Sequence, residues 1–178
     1  GQCDAAAISA NDYAWVKNYE GTYKFRIYER GADASISFIW FNQNPNKDKD
    51  GKPYLAPRKL KWFANVNFRR AVMHAIDRDG LIKSVWFSRA VKLDSIISPA
   101  NKKWHNPNTR KYEYAPDKAR KMLVAEGFYY DESGGLRDSD GERVEFDFIV
   151  SDGSQNTTTT ATTFVENMRA IGIKVNLK

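Results

Sequence analysis

The sequence of 178 residues contains one cysteine, two histidines and no long hydrophobic run. Because Cys3 has no second cysteine to pair with, the chain cannot form an internal disulfide, and cysteine usage says nothing about the redox compartment. A transmembrane helix requires about 20 consecutive apolar residues, and no stretch approaches that length. Zinc sites need several closely spaced histidine or cysteine ligands, which His74, His105 and Cys3 do not supply.

The chain also lacks the motifs of common catalytic sites, namely the nucleophile elbow, the phosphate-binding loop and the dinucleotide glycine fingerprint. Two segments, starting at Asn46 and Asp138, have the alternating oxygens of a calcium loop. After the first, Pro57 stands where a bidentate acid is required, and the second runs directly into a strand, so turns are favoured. A divergent hydrolase is disfavoured because no set of reactive groups is present. We therefore expect no enzymatic activity, no cofactor and no metal.

The charge balance raises a different class of function. The formal net charge is +6, which is basic enough to suggest nucleic acid or an anionic membrane as a partner. However, the 28 Lys and Arg residues are interspersed with 22 acidic residues. Most aromatic residues fall on predicted core stripes and not between exposed cations. A basic nucleic-acid-binding domain stays open as the alternative function, although we expect no nucleic-acid partner.

Hydrophobic spacing predicts an α/β fold. Period-two alternation and short apolar runs predict strands, at residues 3–9, 23–27, 35–41, 144–148 and 173–177. Cys3 is expected to be a small buried side chain at the start of the first strand, which is favoured over a lipid-modified cysteine. Apolar residues three and four positions apart predict helices, near residues 12–18, 65–76, 78–86, 116–126 and 157–171. Between them, residues 42–62 are polar, rich in Pro and Gly, and predict a surface loop.

Two segments carry a resemblance to a known family. Residues 63–78, FANVNFRRAVMHAIDR, resemble the signature helix of the family 5 extracellular solute-binding proteins, which include dipeptide-, oligopeptide- and nickel-binding proteins. Residues 114–128, YAPDKARKMLVAEGF, are similar to a downstream segment of that family. The second match departs at Ala115, where Asp is common, and at Glu126, where Ala is common. With smaller matches at residues 1–4, 140–141 and 171–175, the similarity covers nearly the whole chain in order.

The signature helix has the pattern of a structural element. Phe68, Ala71, Val72 and Ala75 form one apolar stripe, so the helix is expected to pack into a core. His74, next to this stripe, is expected to be packed as well. The residues that contact a solute must therefore be sought elsewhere in the chain.

The resemblance implies one lobe of a type II periplasmic-binding-protein-like fold, with a mixed sheet and flanking helices. Residues 1–178 would form part of the C-terminal lobe, lobe II, and residues 42–62 a surface elaboration. The implied function is solute capture for ABC-type import, most often of peptides, by a two-lobed trap that closes by hinge motion. The expected partners are a peptide or other small solute and, through the intact parent protein, an ABC permease. The parent is expected to be a monomer in the periplasm or elsewhere outside the cytoplasm, with a lipid anchor as an option.

The same resemblance implies where a solute would be contacted. Peptides are held extended, through backbone hydrogen bonds in the manner of strand addition. The cleft-facing segments would be the turn at residues 7–9, the strand at 35–39 and the loop at 151–157. Within them, the candidate ligand-binding residues are Ser9, Ser37, Ser154 and Asn156. The lobe alone is expected to bind peptide weakly, because the trap desolvates its ligand between two lobes.

Overall fold

The structure, a computed structural model, describes residues 3–151 and 153–178. In chain order these residues form the helices α1 (Tyr13–Lys17), α2 (Pro57–Ala64), α3 (Val66–Ala75), α4 (Arg78–Trp86), α5 (Pro116–Ala125) and α6 (Gln155–Ala170), and the strands β1 (Tyr129–Tyr130), β2 (Leu136–Arg137), β3 (Glu145–Phe148) and β4 (Lys174–Leu177). The chain divides into two compact units. Unit 1 comprises the described part of Gly1–Ser37 together with Asp79–Thr109, and unit 2 comprises Phe38–Arg78 and Arg110–Lys178.

Unit 2 contains the predicted βαβ element. Strands β3 and β4 pair in parallel, with Phe146 opposite Val175, and α6 connects them. After α6 the chain turns at Gly172, which has a φ of 79°. A Cβ at this position would lie 2.6 Å from the carbonyl oxygen of Gly134, so both the backbone angle and the space require glycine. Gly172 thus forms the C-terminal stop that follows α6.

A second sheet in unit 2 is a short antiparallel hairpin that the sequence patterns did not predict as strands. Tyr129 pairs with Arg137, and Tyr130 pairs with Leu136. The connecting turn is organised by the Asp131 carboxylate, which accepts hydrogen bonds from the Ser133 hydroxyl at 2.6 Å and the Gly135 N–H at 2.9 Å. Strands of two residues are too short to produce a detectable period-two pattern.

The core of unit 2 confirms the interpretation of the signature helix. Phe68 and Ala71 on α3 and Leu123 on α5 have no exposed surface. Phe41 packs with its ring centroid 4.8 Å from that of Phe63 and 6.0 Å from that of Phe68. Burying each large apolar side chain contributes about 1.5–3 kcal/mol to folding. The other buried members of this core are Trp62, Val72, Ala75, Ala119, Phe128, Leu136, Val144, Phe146, Phe164, Met168, Ile171, Ile173 and Val175.

Polar residues of the signature segment stabilise the start of α3. The Asn65 side-chain oxygen accepts hydrogen bonds from the N–H groups of Asn67 and Phe68, at 2.8 and 3.1 Å. The amide nitrogens of Asn65 and Asn67 each donate to the Glu126 carboxylate at 2.7 Å. These hydrogen bonds lower the pKa of Glu126 below its usual value. Glu126, where the family commonly has Ala, therefore ties α5 to the beginning of α3.

His74 and His105 both bond to backbone carbonyls. The Nδ1 atom of buried His74 lies 2.8 Å from the carbonyl oxygen of Glu113, which confirms that it is a packed side chain. His105 is half-buried, with Nδ1 2.8 Å from the carbonyl oxygen of Ile97. Neither ring is thus held as an exposed, solvated catalytic group.

Unit 1 has a small buried interior. It contains α1, nearly all of α4 and long segments without regular secondary structure. Among its described residues, Val85 is the one hydrophobic side chain that is buried, and Ser98 is buried as a polar residue. Polar contacts supply further order, since Arg89 lies over the Tyr13 ring and donates to Glu29 at 2.9 Å. The Ser98 hydroxyl donates to the carbonyl of Asp33.

Three predicted strands are wrong for this chain. Residues 3–9, 23–27 and 35–41 form no strand, and Cys3 is exposed instead of buried. Their alternating or apolar sequences suit a strand, but a strand also requires a hydrogen-bonded neighbour. The described residues supply no neighbour to these segments, so sequence preference alone does not produce a sheet.

The predicted loop at residues 42–62 is shorter than expected. Helix α2 begins at Pro57, in the favourable first-turn position for proline, and buries Trp62 and Phe63. The Trp62 indole N–H donates to the Asp138 carboxylate at 3.1 Å, which fixes the helix to the β2–β3 connection. The preceding polar residues do form turns, as expected, and Asp48 accepts hydrogen bonds from the N–H groups of Asp50 and Lys52 at 2.9 Å.

The expectation that aromatic residues lie mainly on core stripes is only partly correct. Tyr23 is 70% exposed, Trp15 66% and Trp40 73%. Tyr23 and Trp40 lie in segments whose predicted strands do not form, and Trp15 lies on α1. Across the described residues, no helix has both the length and the apolar character needed to cross a bilayer.

Candidate functional site

Ser9, the first candidate residue, lies in an exposed turn before α1. Its hydroxyl donates to the Asp12 carboxylate at 2.6 Å and accepts from the Asp12 N–H at 3.2 Å. This reciprocal pair stabilises the turn and leaves the hydroxyl at the surface. A solute at this position would therefore meet a serine that already has a structural partner.

Ser37, the second candidate, is exposed and lies in a segment without regular secondary structure. The segment preceding it is anchored by Asp33, whose carboxylate accepts from the Ser35 N–H at 3.0 Å. Within the part of the chain that the structure describes, no backbone–backbone hydrogen bond involves residues 35–41. Apart from the Ser35 N–H, the backbone donors and acceptors of this segment are therefore available to an extended chain that lies beside it.

Ser154 and Asn156, the other two candidates, lie at the beginning of α6. The Ser154 oxygen accepts from the Thr157 N–H at 3.1 Å, which makes Ser154 the N-cap of the helix. Its hydroxyl also lies 2.8 Å from the Thr157 hydroxyl. Asn156 is half-buried in the first turn. Ser154 thus has a capping role that exists without any solute.

The four candidates are divided between the units: Ser9 and Ser37 belong to unit 1, and Ser154 and Asn156 to unit 2. The structure brings Ser154 and Asn156 together in one helical turn. Each of the four lies at the surface or partly exposed, as a contact residue must. Their positions are compatible with solute contact, and the identity of the contacts stays a prediction.

Hydrophobic surface next to Ser37 was not identified from the sequence. Phe38 and Trp40 are strongly exposed, and their ring centroids lie 5.3 Å apart. Adjacent exposed aromatic side chains mark contact surfaces more often than isolated ones do. The apolar residues at 35–41 predicted a strand, so they were interpreted as core residues and not as exposed contact surface.

No group of three or more metal-ligating side chains occurs among residues 3–151 and 153–178. The acidic loops that resemble calcium sites use their carboxylates internally. Asp138 Oδ1 accepts from the N–H groups of Asp140 and Glu142, at 3.1 and 2.9 Å.

Comparison with known proteins identifies one family. The family model for bacterial extracellular solute-binding proteins, family 5 Middle, matches residues 1–178. An oligopeptide-binding protein OppA of Lactococcus lactis subsp. lactis is 30% identical over 172 residues, which is 96% of this chain and 28% of the relative. A probable ABC transporter-binding protein of Deinococcus radiodurans is 27% identical over 152 residues, 85% of this chain and 24% of the relative. The chain thus spans about a quarter of the length of the curated relatives it matches.

Solved structures agree on the fold. The oligopeptide-binding protein AppA from Bacillus subtilis, in complex with a nonapeptide, matches with a TM-score of 0.61 at 25% identity, over 66% of this chain and 24% of that one. Lactococcal OppA, complexed with an endogenous peptide in the closed conformation, matches with a TM-score of 0.73 at 22% identity, over 97% and 31% of the two chains. The predicted α/β fold of the periplasmic-binding-protein type is confirmed.

Proposed function

Because this chain belongs to the bacterial extracellular solute-binding proteins of family 5, we propose that it forms part of the solute-capturing surface of an ABC importer's binding protein. Residues 1–178 correspond to part of lobe II, and a second lobe of the parent protein closes over the solute. The relatives named above are binding proteins, which supports the expectation that the chain is not an enzyme. Neither the family nor these relatives support the alternative of a nucleic-acid-binding domain.

The observation that carries this proposal is the segment at residues 35–41, which has no regular secondary structure and no backbone–backbone hydrogen bond to any described residue. A peptide that lies beside such a segment gains main-chain hydrogen bonds whatever its side chains are. The neighbouring Phe38 and Trp40 rings offer apolar contact for those side chains. Backbone recognition with adaptable apolar contact suits a protein that accepts peptides of varied sequence. Peptide is therefore the solute that we propose.

The proposed contact residues are Ser9, Ser37, Ser154 and Asn156. Ser9 and Ser154 hold local structure, so they would contribute through the positions of nearby backbone groups as well as through their hydroxyls. Ser37 has no comparable capping role in the described structure, so it is the cleanest position for a binding test. We further propose that the parent is a monomer in the periplasm or elsewhere outside the cytoplasm, with a lipid anchor as an option. It would deliver its solute to a permease.

Calorimetric titration with a mixture of di- to hexapeptides tests this function. The parent protein should bind the mixture, and Ser37→Ala in the parent should weaken binding severalfold by removing one hydroxyl contact. The matched control is Ser84→Ala, because Ser84 is an exposed serine on α4 whose hydroxyl donates to the Gly80 carbonyl at 2.9 Å. The 178-residue chain alone should bind weakly or not at all. Micromolar binding by this chain would refute the need for a second lobe, and a parent that binds no peptide would refute the proposed solute.

A further inference from the structure

A concave pocket on the surface of unit 2 lies apart from the candidate solute contacts. Its volume is about 290 Å³, and its lining includes Gly135 from the β1–β2 turn, Arg143, Arg169 on α6 and Lys174 on β4. None of the four candidate solute-binding residues lines it, and no acidic side chain does. Three cationic residues from three separate segments of the chain thus line one cavity.

The Arg143 guanidinium lies close to Gly135. A Cβ added to Gly135 would lie 2.5 Å from a guanidinium nitrogen of Arg143 and 2.8 Å from its Cζ atom. Gly135 does not have a positive φ, so the backbone conformation does not require glycine at this position. What the glycine provides is the space that the guanidinium occupies. Among the described residues, no carboxylate lies within ion-pair distance of Arg143, so its charge is not neutralised by a direct partner.

The other two cations have partners that leave hydrogen-bond donors available. Arg169 pairs with Glu166, and the Lys174 ammonium lies 3.0 Å from the Glu145 carboxylate. Both cationic side chains are mostly exposed, at 78% and 52%. Exposed ion pairs contribute little net free energy, so an incoming anion can compete for these donors. A guanidinium has five N–H donors, of which one carboxylate uses two at most.

The β1–β2 turn, which lines one side of the pocket, supplies few hydrogen-bond donors of its own. The Ser133 hydroxyl and the Gly135 N–H both donate to Asp131, and the Gly134 N–H donates to the Asp131 carbonyl. The Asp131 carboxylate also accepts from the Arg137 Nε at 2.8 Å, so its charge is compensated. Recognition in this pocket therefore depends on the cationic side chains.

We propose that this pocket binds an oxyanion, the carboxylate or phosphate group of a small molecule. Arg143 makes the central contact, because a guanidinium donates two parallel N–H bonds to either group. Arg169 and Lys174 add charge at the rim. The proposal is independent of peptide capture, since the pocket contains none of the residues assigned to the solute.

Two-dimensional NMR of the 178-residue chain, titrated with inorganic phosphate or with N-acetylglutamate amide, tests this site. The chemical shifts of the Gly134 and Gly135 amides should change as the anion is added and reach a plateau when the site is saturated. Arg143→Gln should weaken the affinity about tenfold. Gly135→Ala keeps every charge but displaces the Arg143 guanidinium, and should weaken the affinity for the anion severalfold. The fold should survive this change, because the group that must move is the flexible end of a side chain.

The matched control is Lys121→Gln, which removes one exposed cation from α5 outside the pocket and should change the affinity less than twofold. Equal losses in Lys121→Gln and Arg143→Gln would overturn the proposal, because they indicate attraction by overall charge. Absence of any shift at Gly134 and Gly135 would overturn it as well. Sedimentation with phosphatidylglycerol vesicles separates the two sources of the anion. If the chain binds these vesicles and Arg143→Gln abolishes that binding, the site would be assigned to a lipid headgroup instead of a small molecule.

Discussion

Unit 2 and unit 1 differ in how they use their hydrophobic residues. Unit 2 buries a continuous core that joins α2, α3, α5, α6 and the two sheets. Unit 1 buries Val85 and exposes Trp15, Tyr23 and Tyr28. Both units have strand-like sequence patterns, yet among the described residues strands form only in unit 2. The difference indicates that unit 2 is a self-sufficient folded body, whereas unit 1 offers surface that other groups can cover.

The largest expected effect distinguishes the two units by one aromatic substitution in each. Phe68→Ala in unit 2 removes a fully buried ring that packs against Phe41, Phe63 and Phe128. It should lower the free energy of unfolding by about 3–5 kcal/mol, through lost transfer energy and the cavity left behind. Tyr28→Ala in unit 1 removes a ring that is 75% exposed, and should change the free energy of unfolding by about 0.5 kcal/mol or less.

Urea denaturation followed by circular dichroism measures both variants. A Tyr28→Ala variant that loses as much stability as Phe68→Ala would remove the distinction between the units. It would mean that the exposed aromatic residues of unit 1 are buried in solution.

A smaller loss of stability is expected when the N-cap of α3 is removed. This change tests whether Asn65, in the signature segment, has a structural role. Asn65→Ala removes the acceptor for two backbone N–H groups and a donor to Glu126. It should lower the free energy of unfolding by about 1–2 kcal/mol. Asn44→Ala is the matched control, since Asn44 accepts from the Asn46 N–H in an exposed turn. It should cost about 0.5 kcal/mol or less, and a loss equal to that of Asn65→Ala would contradict the capping role.

The smallest effect concerns the pH dependence of the Glu126 contact. Hydrogen bonds from Asn65 and Asn67 lower the pKa of Glu126 in the folded chain below its usual value. The contribution is therefore present above the unfolded pKa and is lost as the pH falls through the folded pKa. Because the group is partly exposed, Glu126→Gln should reduce stability at pH 7 by only about 0.5 kcal/mol.

Thermal unfolding of the wild type and of Glu126→Gln at pH 7 and pH 3 measures this dependence. The difference between the two proteins should shrink on acidification. Glu132→Gln, which alters an exposed carboxylate in a turn, is the control. A Glu126→Gln difference that grows at low pH would contradict the assigned direction.

The elements that the sequence predicted well are those whose stabilising partners are local or lie in unit 2. Helix α3 follows from the stripe of Phe68, Ala71, Val72 and Ala75, and the βαβ element follows from alternation on either side of a helical pattern. Such elements bury one face against a core that is present in the same chain. Their prediction therefore needed no information beyond the residues themselves.

The elements that were missed depend on contacts between residues distant in sequence. Residues 23–27 and 35–41 have strand patterns, but pairing is a property of two segments, and no partner could be inferred from one of them. Helix α2 was not predicted, because it follows a polar region and is fixed by a contact distant in sequence. The Trp62 indole donates to Asp138, 76 positions later. The candidate contact residues came from family resemblance. The pocket at Arg143 had no local signal, because it combines residues from four segments.

Hydrogen exchange of the 178-residue chain, measured by mass spectrometry, tests the division into a complete and an incomplete unit most directly. Peptides from α3, α5 and α6 should be strongly protected, because their backbone hydrogen bonds open only when the core of unit 2 opens. Peptides from residues 23–40 should exchange almost as fast as an unfolded chain, and should gain protection in the parent protein. Protection of residues 23–40 in this chain alone, at the level found for α3, would contradict the account.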